Sequence, residues 1–470
     1  MSKAAIDHQQ LENLTREELI VLVKALLKEN GELKARLAAL EAEIAKLKKP
    51  PTTSRNSSQP PSRDEKPDQG EKKSGRRVGA KPGHERATRP LVEKPDRVIE
   101  AKVERCANCH ADLSQTPPAR IIRRQITELP LVRPIVIETQ THEVECPNCR
   151  TLQRGVAPEG LEPLRMFGPR LEATVIYYKQ QQHLSVERIV EAMIELHGVE
   201  LSEGGVIAIL RRGGDAAQPV AAAIAAEVSM SEVIGSDETS VRVKARNYWH
   251  WVFRSVAGVA HIIDRSRGAE VVRKFMGANR AECWVSDCLG AQLSAPAENR
   301  QLCLAHQIRD LERLIEQEPE LIWAVQMKAL FREAIHLRNR FRDEGQMTLS
   351  GYCRRVTGLE NRLAELLAED QSGTIARKLY GRYVKHQDHL LYFLSHPEVP
   401  PTNNACEQAL RPSVIHRKVT NGFRSEWAAK TYAALETVID TAEIKGRKAF
   451  ETLVELMGIP VLPFLDIPVP

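Results

Sequence analysis

Long hydrophobic runs are missing from this 470-residue chain. None approaches the ~18–20 apolar residues that a membrane span requires, so no membrane association is expected. The N-terminus lacks the basic, then apolar, then small-residue pattern of a secretory signal. Disulfide-forming cysteine is lacking too. The nine cysteines comprise two tight pairs and five scattered singles, a usage that suits a reducing compartment with one metal site better than a disulfide framework. The expected location is the cytoplasm. Nor is there a strong charge of one sign: 67 Lys and Arg against 62 Asp and Glu leave +5, by itself weak evidence for a nucleic-acid partner. The chain is too long for a single compact core, and three or more domains are expected.

What is present divides the chain into dissimilar stretches. In residues 1–49, Leu19, Leu26, Leu33, Leu40 and Leu47 recur every seventh position. With these at d, Val23, Asn30, Leu37 and Ile44 fall at a, and a lone Asn there favours a parallel dimer in fixed register. Glu29 with Lys34, Arg36 with Glu41, and Glu43 with Lys48 are matched across such a dimer. Thr15 and Glu18 form a capping box, and Pro50 stops the helix. A single amphipathic helix packed on its own core is the competing reading. Residues 50–100 are rich in Pro, Ser, Gln and charge, which predicts a disordered linker. Its basic cluster Lys72, Lys73, Arg76, Arg77 and Lys81 suits a DNA backbone or plain solvent.

Residues 101–152 hold two CxxC pairs, Cys106 with Cys109 and Cys146 with Cys149. Two such knuckles complete a tetrahedral Cys₄ site, so one structural Zn²⁺ per chain is expected, in a zinc ribbon with strands at residues 121–126 and 135–142. A redox dithiol would need only one pair. His110 follows the first knuckle and is expected to donate from outside the ligand set. Residues 155–228 predict a helix over 171–182, then a helix, a turn at Gly198 and a second helix capped by Ser202 and ended by Arg211 and Arg212. This spacing fits a DNA-binding helix-turn-helix, although Gly204 and Gly205 are poor base readers and helical hairpins are common.

Residues 231–263 predict three consecutive strands, from the alternation of Val and Ile and an aromatic middle run. Asp237 lies on the first. A further short run, ECWVSD, ends in Asp287, and Glu407 lies at a helix start behind Pro400 and Pro401, with Asn403 or Asn404 as cap. Three converging carboxylates are hard ligands for Mg²⁺ or Mn²⁺, and two such ions serve phosphoryl transfer. With 62 acids in the chain, however, spacing alone does not single these out. Glu238 points to the other strand face and is excluded as a co-ligand. His306, in CLAHQIRDL, either positions DNA or a metal-bound water, or is structural, as a lone helical His usually is. The leucines at 359, 363, 366 and 367 read as ordinary helix packing. Cys283, Cys288, Cys303, Cys353 and Cys406 are expected to be small, inert core residues.

The segments SDETSVRV, VSDCLGAQL, CLAHQIRDL and TNNACEQALRPSVIHRK, with GFRSEWAAKTYAALETVIDTAEIKG, resemble the transposase of the bacterial insertion-sequence family sixty-six. The resemblance runs from the zipper to about Gly446. It implies a DDE enzyme with an α/β core of ribonuclease-H-like type, in two parts (residues 229–296 and 397–446) around a helical insertion (297–396). A tail (447–470) follows. It also implies Asp237, Asp287 and Glu407 as the catalytic trio binding two Mg²⁺ or Mn²⁺ ions. Double-stranded DNA, as terminal inverted repeats and as target, becomes the expected partner, with small accessory proteins and a nucleoid setting. Arg211, Arg212, Arg411, Arg417 and Lys418 join the linker cluster as candidate DNA contacts. The family commonly has an aromatic residue shortly after the second acid; here Gln292 stands there, which puts a substrate contact in question. A regulator with an inactive core, or a nuclease that cuts without joining, would share most of these features.

Overall fold

The leucine-rich N-terminal segment folds as α1 (Arg16–Leu47), one helix of 32 residues. A computed structural model describes residues 15–47, 89–130, 133–157, 166–342 and 347–458. Lys72, Lys73, Arg76, Arg77 and Lys81, the end of the zipper and the terminal prolines lie outside them. Along α1, Val23, Leu26, Leu33, Leu37 and Leu40 are all exposed.

Around the cysteine pairs, regular structure is scarce. β1 (Glu143–Glu145) pairs antiparallel with β2 (Leu152–Arg154), bracketing the second knuckle. The strands expected at residues 121–126 and 135–142 do not form; both stretches lack regular structure and lie outside any ladder. Ile121, Ile122, Ile126 and Val136 are exposed there: β-branched composition favours a strand only where a neighbour buries one face.

Three helices follow: α2 (Pro169–Gln180), α3 (Val186–His197) and α4 (Glu203–Ser229). Gly198, at φ 63°, ends α3, and Ser202 caps α4 by accepting the Gly205 N–H. α4 does not stop at Arg211 and Arg212, however. It runs on through Pro219 to Ser229, 27 residues in all and more than two and a half times the expected length. Gly213 and Gly214 mark a close helix crossing rather than an end. A Cβ on Gly213 would lie 2.5 Å from Ile176 Cδ1, and one on Gly214 2.2 Å from Thr431 Oγ1.

The expected meander is present. β3 (Val233–Val243), β4 (Arg246–Arg254) and β5 (Val259–Asp264) pair antiparallel. After α5 (Ala269–Met276), β6 (Ala281–Ser286) returns parallel to β3. The short α6 (Gly290–Leu293) leads to β7 (Ala297–Leu302), parallel to β6. β7 falls in the stretch assigned above to the helical insertion. The finished sheet has five strands in the order β5-β4-β3-β6-β7.

The insertion proper comprises α7 (Leu304–Gln317), α8 (Ile322–Arg342), α9 (Leu349–Ala368), α10 (Arg377–Lys385) and α11 (Tyr392–Ser395). It has its own core, in which Leu359, Leu363, Leu366 and Leu367 pack with Trp323, Phe331 and Tyr383. The chain then returns through α12 (Asn404–Thr420), α13 (Glu426–Ile444) and α14 (Ala449–Leu456).

One sheet face buries Ile234, Trp251, Phe253 and Trp284 against Val271, Val272 and Met276 of α5. Full burial of each large apolar side chain contributes about 1.5–3 kcal/mol. The other face carries α12 and α13. β5 is an edge strand, and its outward N–H groups are satisfied from α13: Val259 donates to Thr441 Oγ1 at 3.0 Å and His261 to Thr437 Oγ1 at 2.9 Å. At the opposite edge, Gln301 of β7 accepts from the Phe393 N–H at 3.0 Å and donates to the Leu390 carbonyl at 3.1 Å. Cys283, Cys303 and Cys406 are buried and Cys288 half-buried, but Cys353 is exposed on α9, against expectation.

Candidate active site

Parallel register sets the first two acids side by side. Gly235 of β3 pairs with Val285 of β6; two residues further along each strand come Asp237 and Asp287. Asp237 Oδ1 accepts its neighbour Glu238's N–H at 2.9 Å. Asp287, just past the strand end, accepts the Leu289 N–H at 2.8 Å, which fixes the turn into α6.

The third acid arrives on the first turn of α12. Asn403 is buried at its N-cap, but its side chain does not bond that helix's backbone, contrary to the expected capping role. Its amide instead donates to the Ser236 carbonyl at 2.7 Å, and its N–H reaches Cys303 Sγ at 3.1 Å. The Cys303 N–H in turn donates to the Ser286 carbonyl at 2.8 Å. This string of bonds passes through a residue next to Asp237, a residue next to Asp287, and the residue four before Glu407. Gly235 permits the approach: a Cβ there would lie 2.9 Å from Cys406 Sγ and 3.1 Å from Asn403 Oδ1.

Electrostatics follow from this convergence. Burial pushes the Asp237 carboxyl well above the usual carboxylate range, and the charges of Glu238, Asp287 and Glu407 push it further. Glu407 Oε2 accepts from Arg309 at 3.3 Å, while its buried Oε1 has no hydrogen-bond partner. A cluster of acids that repel one another, one with an orphaned oxygen, fits a bound divalent cation of the hard-oxygen class. Among the described residues, one group of three ligand types has atoms all within 4.8 Å of one another: Cys303, His306 and Glu407. The three carboxylates are not drawn that tightly together. Burial pushes the Cys303 thiol up to about 11.

Glu238 adjoins the trio electrostatically: burial raises its carboxyl above the usual range, and the Asp287 charge adds to this. Arg267 holds Glu238 at 2.8 and 2.9 Å, and the buried Gln292 amide donates to it as well. Gln292 therefore ties α6 to β3.

The two CxxC turns have the same backbone. Cys106 N–H donates to Ala111 and His110 N–H to the Cys106 carbonyl, at 3.0 and 2.9 Å; Cys146 with Thr151 and Arg150 with Cys146 repeat this at 3.0 and 2.8 Å. His110 and Arg150 occupy matching left-handed positions, φ 58° and 57°. His110 thus serves a turn. The four thiols are not gathered to the 4.8 Å spacing of the group above.

The candidate DNA contacts separate into two sets. Arg212 pairs with the buried Glu172, Arg211 lies over the Trp427 ring at 4.8 Å, and Arg417 donates to the Ser240 carbonyl and hydroxyl. These three hold the fold together. Arg411 and Lys418 are exposed, seven positions apart on α12.

Sequence reasoning noted Arg309 by its helical face without giving it a role and left His306 undecided. Both lie on α7, three positions apart and therefore on one face. That spacing was the available signal.

A central strand antiparallel to its neighbour on one side and parallel to its neighbour on the other, with acids side by side on one parallel strand and just past the end of the other, places this chain among mixed α/β proteins consistent with a ribonuclease-H-like core. Residues 165–431 match the transposase IS66 family, and the chain belongs to that family. Residues 7–90 match a family of unknown function. Over 350 residues the chain is 26% identical to "Uncharacterized protein y4hP" of Sinorhizobium fredii (strain NBRC 101917 / NGR234). The match covers 66% of this chain and 62% of that relative's length.

Proposed function

We propose that this protein is a DDE-type DNA transposase that binds terminal inverted repeats and cuts and joins DNA strands. The observation that supports the reading best is the crowding of Asp287 and Glu407 against the buried Asp237. Asp237, Asp287 and Glu407 would hold two Mg²⁺ or Mn²⁺ ions. Such ions, when bound, supply activation of an attacking oxygen and stabilisation of a leaving one. The protein's own part is to fix the three carboxylates, through the Ser236–Asn403–Cys303–Ser286 bonds, before substrate arrives. In the first step water attacks a phosphodiester at the element end, and the bond to the 3′-oxygen breaks. The freed 3′-hydroxyl then attacks a target phosphodiester and displaces the target's own 3′-oxygen. Exposed Arg411 and Lys418, with the linker cluster, would meet backbone phosphates. No helix among the described residues is long and apolar enough to cross a membrane.

The test is a metal-dependent reaction on a duplex bearing the element's ends. Joined strand-transfer products are expected. Binding without cutting would favour a regulator, and cutting without joining a nuclease. Small accessory proteins of the same element are further candidate partners, to be added to the reaction.

Self-association is assigned to α1, whose leucines stand exposed along the helix. Replacing Leu26 and Leu33 with Pro should convert a dimer to a monomer in sedimentation, because each Pro costs about 3 kcal/mol in a helix interior and breaks the seam. An unchanged oligomer would place the interface elsewhere.

Zinc is assigned to Cys106, Cys109, Cys146 and Cys149. Metal analysis of reduced protein should find one Zn²⁺ per chain, lost when Cys106 and Cys109 become Ser. Retention of full zinc in that variant would refute the assignment.

A further inference from the structure

α7 presents two side chains to Glu407, and they meet different oxygens. Arg309 takes Oε2 at 3.3 Å. His306 Nδ1 faces Oε1 at 3.6 Å, beyond hydrogen-bond range. Both Nδ1 and Oε1 are buried, and neither has a hydrogen-bond partner. Buried polar atoms are nearly always satisfied, so two orphans facing each other across a gap call for something between them. Two ligand atoms each about 2.0–2.2 Å from one ion, set at octahedral to tetrahedral angles, lie roughly 3–3.6 Å apart. The gap has that size. Cys303 Sγ belongs to the same group of ligand atoms, but the Asn403 N–H already engages it at 3.1 Å.

We propose that His306 Nδ1 is a ligand of the cation that Glu407 holds, so that the centre consists of three carboxylates and one imidazole. This rests on the metal-dependent reading of the trio above. Arg309 is a positioning residue: by holding Oε2 it turns Oε1 toward His306. A transition-metal ion accepts an imidazole ligand more readily than Mg²⁺ does, so the centre selects Mn²⁺ over Mg²⁺.

The test uses the full chain, with its zinc in place, titrated with Mn²⁺ and read by electron spin-echo modulation. A bound Mn²⁺ population with nitrogen coupling is expected. It should vanish in His306→Gln, whose Mn²⁺ affinity should fall about tenfold or more. If that variant does not fold, ¹⁵N-histidine labelling of the unaltered chain decides instead, since the coupling must change to the ¹⁵N pattern. Mn²⁺ binding that Asp287→Asn abolishes, but that shows no nitrogen coupling, overturns the role of His306 and leaves the carboxylate trio standing. Mn²⁺ that does not bind, or binds equally to Asp287→Asn, overturns the trio and this inference together.

Discussion

Asp237→Asn, Asp287→Asn and Glu407→Gln are each expected to reduce strand cleavage and joining on the order of 10³-fold or more, with DNA binding retained. Each substitution keeps side-chain size and removes one anionic oxygen pair. Asp237 should be the most sensitive, since it is the acid on which the other charges converge. Binding should survive because the exposed basic residues, Arg411 and Lys418, are untouched. Removing a negative charge that faces phosphate works, if anything, in favour of binding. The measurement pairs a mobility shift without divalent metal with a cleavage assay in Mg²⁺ and in Mn²⁺. Full cleavage by any one variant would remove that residue from the centre.

Glu436→Leu is expected to stabilise the fold, by about 1–3 kcal/mol at pH 8, and by less as the medium is acidified. Glu436 is buried in α13 and makes no well-formed hydrogen bond; the buried Tyr432 hydroxyl beside it offsets its burial only in part. Burial pushes the Glu436 carboxyl well above its ordinary value, and the charges of Asp440 and Glu443 add to this. An acid with a raised folded-state pKa binds more protons folded than unfolded. Wild-type stability therefore falls as pH rises from about 4.5, the ordinary glutamate value, through the raised one. The leucine variant lacks that loss, so the difference in melting temperature between the two chains should widen from pH 4.5 to pH 8. His261, bonded to Asp440 at 2.9 Å and to His250 at 3.0 Å, lies nearby, but it is present in both chains and largely cancels in the difference. A gap of the same size at every pH would mean that Glu436 is not penalised for its charge.

The core strands were legible because their inward residues are apolar at every second position, as in Val241 and Val243 or Trp251 and Phe253. β7 was not. Its sequence AENRQL shows little alternation, and its buried Gln301 is satisfied by backbone of residues 390 and 393, which only the folded insertion brings near. The end of α4 was misplaced because glycine pairs usually stop helices, whereas Gly213 and Gly214 serve a crossing whose partners, Ile176 and Thr431, are distant in sequence. The three acids were identified from motif resemblance rather than from spacing. Nothing local tells Glu407 that it will sit near Asp237; that depends on Gly235, Asn403 and Cys303, which carry no metal-binding signature. The ribbon's strands failed for the opposite reason: local composition favoured them, but no partner strand buried them.

The hydroxyls of Thr437 and Thr441 occupy the Val259 and His261 N–H groups, so the β5 margin of the sheet does not present these two donors to another polypeptide. Intermolecular strand addition, the usual route by which such sheets stick to one another, is hindered at that side, where an approaching chain meets the hydroxyl-bearing face of a helix instead of a bare strand.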